Sequence, residues 1–199
     1  CSCANAAARR AGSAWRSVSS SSAWASGLSH TLRGCEAFGP IDTLAIKELP
    51  SPTPGPRQLL VEVRAAAVNF SDALIVQGLY QVKPRLPFTP GAEISGIVKS
   101  VGTEVTGYRP GDRIIAVVGQ GGFAQECIAD AARAMPLPAG MDFESGAALV
   151  LAYCTSLHGL KDCGRLKAGE TLVVLGAAGG VGISAIEIGK AMGARVIAA

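Results

Sequence analysis

Aromatic side chains are scarce in this chain (5%), and charged ones are thin at 17%. With 25 glycines and an apolar fraction of 49%, that composition suits an α/β protein, and 199 residues allow one or two domains. No run of 18 or more uncharged apolar residues occurs, which argues against a membrane-spanning helix. Acidic residues are missing altogether before Glu36, where Arg9, Arg10, Arg16 and Arg33 stand. Removing those four from the 18 basic residues leaves 14 against 15 acids, a net of −1 for residues 36–199 in place of the formal +3. A near-neutral body offers no electrostatic footprint for nucleic acid. Histidine is almost absent: His30 falls in the leader and His158 reads as a helix-surface residue, so neither is assigned a base role. Six cysteines are present, but Cys1 and Cys3 have no matching second pair and the rest are scattered, so all six read as free thiols in a reducing compartment, without a metal site.

What residues 1–30 do contain is alanine, serine and arginine, including Ser19-Ser-Ser-Ser22. That is the composition of a mitochondrial import peptide, and it lacks the apolar core of a secretory signal. The alternative is a disordered or artefactual tail on a cytoplasmic protein. Either way the segment stands outside the fold.

From about Thr31 short strands alternate with turn signals. Residues 44–49 alternate weakly, and Ser51-Pro-Thr-Pro-Gly-Pro56 is a rigid connector. Across residues 60–68, Val61, Val63 and Ala65 face one way and Glu62 and Arg64 the other, as in a half-buried strand. Residues 70–77 predict a short helix ended by Gly78, and residues 94–101, 113–118 and 123–129 predict further strands. Strands spaced by Gly/Pro turns indicate a barrel-like all-β unit. Residues 143–160 then read as a helix, broken near Thr155. No internal repeat is visible.

The end of the chain is its most informative stretch. An apolar run over residues 172–175 predicts a strand buried on both faces. Gly176-Ala-Ala-Gly-Gly-Val-Gly182 follows, then a helix whose inner face carries Ala185, Ile188, Gly189 and Met192, then a second strand at residues 196–198. Ala177, Gly179 and Gly182 occupy the three glycine positions of a dinucleotide fingerprint, the first as alanine. At the second position a glycine lets backbone approach a pyrophosphate; at the third it lets the helix pack closely. The helix start adds free N–H groups and a positive dipole end for phosphates. A glycine-rich turn that binds nothing is the alternative. The acidic residue that would mark NAD belongs at the end of the second strand, about 20 residues on, where Ala199 stands, so NAD and NADP remain open.

Five ordered motifs carry a resemblance. They are Val68-Asn-Phe-Ser-Asp-Ala-Leu-Ile-Val-Gln-Gly-Leu-Tyr80, Pro87-Phe-Thr-Pro-Gly-Ala-Glu-Ile-Ser-Gly-Ile-Val98, Gly111-Asp-Arg113, Gly121-Gly-Phe-Ala124 and Ala177-Ala-Gly-Gly-Val-Gly182. Over residues 33–199 the chain resembles the medium-chain dehydrogenases/reductases, in their zinc-free quinone oxidoreductase branch. The resemblance implies an α/β protein with a GroES-like β-barrel substrate domain (31–148) and the first βαβ of a doubly wound Rossmann domain (149–199), C-terminally incomplete. It implies NADPH as cofactor, NADH not being excluded, a small quinone or enone as substrate, and a homodimer as the complete enzyme's assembly. Zinc-dependent relatives carry a cysteine near Asn69 and a histidine where Ala92 stands; neither is present here, so no zinc is expected.

The resemblance also implies roles. Asn69 would hold the nicotinamide ribose or the substrate oxygen, although the same residue suits a helix cap. Tyr80 would donate its phenol to a quinone or enone oxygen, or else be a core aromatic with a wet tip. Thr155 would contact the nicotinamide amide, or be a helix hydroxyl. Ala177, Ala178, Gly179, Gly180, Val181 and Gly182 would cradle the diphosphate. Asp72 and Glu93 read as structural acids, and Cys154 as a small buried hydrophobe. The expected activity is hydride transfer from NADPH to a quinone or α,β-unsaturated carbonyl. The rival expectation is a non-enzymatic fragment that at most associates with an intact subunit through an exposed strand edge.

Overall fold

The computed structural model describes residues 29–199, which divide into two compact units between Ala147 and Ala148. All but the last two residues of the expected import segment lie outside the described residues. Those last two are in strand β1 (Ser29–Gly34), where His30 is buried.

In the first unit β1 pairs antiparallel with β2 (Ala45–Pro50), from Ser29↔Pro50 to Gly34↔Ala45, across a 3-10 turn at Ile41–Thr43. The other strands are β3 (Gln58–Ala66), β4 (Glu93–Val101), β5 (Arg113–Val117), β6 (Glu126–Asp130) and β7 (Ala134–Pro136). They form one antiparallel sheet in the order β6-β3-β4-β5-β7. The expected barrel does not close: among the described residues β6 and β7 are the edges of an open sheet. β7 has three residues, and its Pro136 has no N–H to offer a further partner. Isolated bridges Leu32↔Ala124 and Cys35↔Phe88 tie the ribbon to this unit.

Leu59, Val61, Ile94, Val98, Ile114 and Cys127 are central to the buried core. The expected alternation of Val61, Val63 and Ala65 against Glu62 and Arg64 is blurred: Leu59, Leu60 and Val61 are all buried and Val63 and Ala65 half-buried, and β3 shifts register between Leu60 and Val61 and between Val63 and Ala65. Beside the second shift a Cβ at Gly96 would lie 2.2 Å from the Glu62 carbonyl oxygen, so β3 and β4 approach as only glycine permits.

The helix expected over residues 143–160 is three pieces: α2 (Phe143–Ala147), α3 (Val150–Leu157) and a π-helical turn (His158–Cys163). Thr155 lies inside α3, not at a break. The interruption falls at the boundary between units, where α2 packs on the first sheet and α3 on the second unit's helix. α1 (Phe70–Val76) precedes them in the first unit.

The second unit pairs β8 (Thr171–Val174) in parallel with β9 (Arg195–Ala198), joined by α4 (Gly180–Ala191). β8 was expected to be buried on both faces. Only Val174 is buried, while Val173 is 54% and Leu175 81% exposed. The sheet has two strands, and among the described residues α4 covers one of its faces. α4 buries Gly182, Ser184 and Gly189; Ala185, Ile188 and Met192 are half-buried. No helix among the described residues is long and apolar enough to cross a membrane.

Close approach at Gly96 predicts that Gly96→Ala destabilises the first unit by about 1–3 kcal/mol, the usual cost of overpacking. Gly39→Ala, whose Cβ would meet only Thr43 Oγ1 at 4.0 Å, is the matched control and is expected to be near neutral in chemical denaturation.

Candidate functional site

Asn69 and Tyr80 flank the same short helix. Asn69 is the N-cap of α1, with extended backbone (φ −106°, ψ 156°). Its N–H donates to Asp72 Oδ2 at 2.8 Å, while the Asp72 N–H donates to the Asn69 carbonyl at 3.0 Å. The acid three residues into the helix thus reaches back to the cap, as in a capping box. Asn69 Nδ2 donates to Glu93 Oε1 at 3.1 Å, so a buried acid at the start of β4 orients the amide. At the other end Gly78 adopts φ +69°, its N–H donates to Ile75 O at 3.0 Å, and the Leu79 N–H donates to Leu74 O at 2.8 Å. That pair of bonds is a Schellman stop, which favours glycine at the left-handed position. Tyr80 follows it, 36% exposed beside the exposed Leu79 and Val82. Seven helical residues separate the two ends by about 10 Å along the axis.

Against α1 the first unit holds a cavity of about 540 Å³, a volume suited to a small ligand. Leu32, Ile41, Leu44 and Ile46 line it from the ribbon side, and Val68, Asp72, Ala73 and Val76 from the helix side. Neither Asn69 nor Tyr80 is among its lining residues, although Asn69 directly follows the wall residue Val68. This cavity was not visible in the sequence: residues 44–49 alternate too weakly to mark Leu44 and Ile46 as a pocket wall. Asp72 is 3% exposed; burial raises its carboxyl pKa above the ordinary value, against the pull of the Asn69 and Gly91 backbone N–H groups.

In the second unit the glycine turn joins β8 to α4. Gly176 takes φ +68° and its carbonyl accepts from the Gly179 N–H at 3.1 Å. A Cβ at Gly182 would lie 2.4 Å from that same carbonyl oxygen, so the third glycine lets the helix close onto the turn itself. Packing of helix on strand falls instead to Gly189, where a Cβ would meet Leu172 Cδ2 at 2.6 Å. Gly179 differs from both. Its backbone (φ −80°, ψ 162°) is open to any residue, and a Cβ there would touch only Gly176 O, at an ordinary 3.5 Å. At Gly180 a Cβ would meet nothing within 4 Å. The Ala177 N–H is spent on Ala199 O at 3.2 Å. The first-turn N–H groups at Gly180, Val181 and Gly182 have no carbonyl within the helix to receive them, as at any helix start.

Thr155 is exposed on α3. Its neighbour Ser156 donates to Val181 O at 3.1 Å and lies 2.7 Å from Ser184 Oγ, which reaches Ala152 O at 3.1 Å and Val181 O at 3.0 Å. Buried hydroxyls therefore fix the helix of Thr155 against the glycine turn. Tyr153 adds a hydrogen bond to Glu187, which with burial pushes the phenol up to about 12. Serines inside an apolar helix pattern carry no functional signal in the sequence, so these contacts are visible only in the structure. Cys154, read as buried, is exposed, because α3 turns Ser156 inward instead. No group of three or more His, Cys, Asp or Glu side chains is gathered as a metal site among the described residues.

The buried Asp72 carries a pH signature. Below the ordinary value of 3.8 both folded and unfolded chains hold its proton. As pH rises, the unfolded chain releases it first, so stability falls from 3.8 up to the raised folded value. Asp72→Asn keeps an oxygen for the Asn69 N–H and removes the titration. Urea unfolding across that window is expected to show a shallower decline for the variant.

The profile of the alcohol dehydrogenase GroES-like domain matches residues 55–139. A quinone oxidoreductase-like protein 2 homolog of Nematostella vectensis is 42% identical over 147 residues, 73% of this chain and 40% of that protein. Rattus norvegicus quinone oxidoreductase is 36% identical over 171 residues, 85% of this chain and 52% of that one. The crystal structure of a probable oxidoreductase from Mycobacterium abscessus superposes with a TM-score of 0.81 at 39% identity, covering 85% of this chain and 55% of that one. Escherichia coli quinone oxidoreductase complexed with NADPH gives 0.80 at 33%, covering 84% and 52%. The chain thus spans about half the length of the curated relatives it matches. An open GroES-like sheet followed by a partial Rossmann-type βαβ, with these relatives on both sides of the unit boundary, places the chain in the quinone oxidoreductase branch of the medium-chain dehydrogenases/reductases.

Proposed function

We propose that this chain takes part in NADPH-dependent reduction of a quinone or an α,β-unsaturated carbonyl, without zinc. The observation that carries the reading is the glycine at 179. Neither its backbone angles nor its neighbours require glycine, whereas Gly182 and Gly189 each have an internal reason. A position that is bare at the start of a helix, with no internal need, fits the close approach of a ligand's diphosphate. The E. coli relative complexed with NADPH supports the choice of cofactor.

The residues fit that group. Amides at Gly180, Val181 and Gly182 would hold diphosphate oxygens, and Ala177, Ala178 and Gly179 would form the bare edge beside them. Thr155 would orient the carboxamide end through its hydroxyl. When bound, NADPH supplies two electrons as hydride. Asn69, held by Glu93, would fix the ribose or the substrate oxygen. Tyr80 would donate from its phenol to the substrate oxygen as negative charge develops there, and electrostatic stabilisation of that kind is the protein's main contribution where no metal polarises the carbonyl. Ala92 and Asn69 offer neither thiolate nor imidazole, which supports the reading without zinc. Mitochondrial import by residues 1–30 and a homodimeric complete enzyme belong to the same reading. Organelle fractionation tests the first and light scattering the second.

A second reading, a chain that does not turn over and only associates with another subunit, draws on the exposed Val173, Leu175 and Ile197. A thermal-shift titration separates the two. Binding raises the melting temperature with dose, equivalent to about 2.7 kcal/mol at hundredfold excess over Kd. No rise with NADPH would favour the second reading. Gly179→Ala is expected to leave the melting temperature of the free chain in place and to weaken NADPH binding about tenfold, or about 1.4 kcal/mol. In NADPH-oxidation assays with a small quinone or alkenal, Asn69→Ala and Tyr80→Phe are each expected to lower turnover by about tenfold or more.

A further inference from the structure

We propose that His158, Asp162 and Cys163 form a reactive-thiol site that takes soft electrophiles, α,β-unsaturated carbonyls and quinones, by conjugate addition at the Cys163 sulfur. The site lies on a single helical turn and does not depend on the reductase reading.

The three side chains meet because the turn is π-helical. The Gly164 N–H donates to Gly159 O at 2.8 Å, five residues back. At α-helical pitch position 163 would lie about 140° round the axis from position 158. The wider turn brings both the fourth and the fifth residue under the imidazole, and π turns inserted in α-helices occur frequently at functional sites. His158 Nδ1 is 2.8 Å from Asp162 Oδ2, and His158 Nε2 is 3.5 Å from Cys163 Sγ.

The acceptor-only carboxylate sets the tautomer. An ionised aspartate can only accept, so Nδ1 carries the proton and donates it; in the neutral ring Nε2 is then a lone pair facing the thiol. This is the nucleophile–base–orienting-acid order of covalent catalysis, with the base within reach of the thiol and itself held by a third group. All three residues are exposed, so an electrophile in solution has access.

The other described thiols differ. Cys127 is buried, and desolvation pushes it up to about 12; Cys35 is buried and its thiol donates to Ala37 O. Cys154 is also exposed but makes no hydrogen bond to an imidazole, so one molecule contains both the candidate and its control.

In the step proposed, the thiol proton moves to His158 Nε2 as sulfur bonds to the β-carbon of the electrophile. The C=C π pair shifts toward the carbonyl oxygen, and the imidazolium returns the proton to the enolate. One S–C bond forms, one C=C π bond is lost, and no oxidant or reductant is consumed. His158 is the base that contacts the reacting thiol; Asp162 is a positioning residue.

The test is timed labelling of the full 199-residue chain with limiting N-ethylmaleimide, the rate at each cysteine being read by peptide mass spectrometry. Cys163 is expected to react at least about tenfold faster than Cys154. His158→Ala is expected to slow Cys163 about tenfold or more while Cys154 keeps its rate. If His158→Ala disturbs the fold, Cys35 and Cys127 become labelled as well; His158→Gln, polar but no base at working pH, then decides and should show the same selective loss. Asp162→Ala should slow Cys163 by less and lower the share of the Nδ1-protonated tautomer in the ¹⁵N imidazole spectrum. Equal rates at Cys163 and Cys154 in the unaltered chain, or an unchanged Cys163 rate with His158→Gln, overturns the proposal.

Discussion

Steric clearance at Gly182 governs the second unit. With no room for a carbon between this residue and the Gly176 carbonyl, the turn folds tightly under the first turn of α4. The amides at Gly180 and Val181 then gather at one place on the surface, and the helix axis is set before any side chain contributes. Gly189 repeats the condition where the helix passes Leu172, so α4 lies low on β8 over two turns. A single methyl at either point would lift the helix and scatter the amides.

The first unit has its own constraint in α1. A helix of seven residues is too short to be stable on propensity alone. It persists because both ends are closed, by the Asn69–Asp72 exchange at the start and the Gly78 stop at the finish, and because Asp72 and Val76 bury one face. Asn69 makes the first of those closures, and Tyr80 directly follows the second. In the proposed reaction a helix closed at both ends would lower the ordering cost of meeting a ligand, which is what positioning requires.

Much of this was legible in the sequence, and unevenly so. Periodicity located β3, β4 and β5 within a few residues, and Gly78 marked the end of α1, because burial pattern and left-handed turns are local properties. Closure of the sheet was not local: whether β6 meets β7 depends on strand length and on Pro136, and an open edge resulted. The coverage of β8 is likewise not a local property. An apolar run reports what a strand can bury, not what neighbours are present to cover it. The break between α2 and α3 at Ala148 escaped notice because apolar residues run straight through it. The π turn left no periodic trace, since one extra residue in a turn does not alter composition.

The buried hydroxyls between α3 and α4 have a further consequence. Ser156 and Ser184 bring two protons to a cluster of three acceptor types: the Ala152 carbonyl, the Val181 carbonyl and each other's oxygen. Every assignment of the two protons leaves both hydroxyls donating, so several arrangements are nearly degenerate. The pair thus ties the helix bearing Thr155 to the start of α4 through two hydroxyls that each keep an acceptor, whichever of them donates to the other.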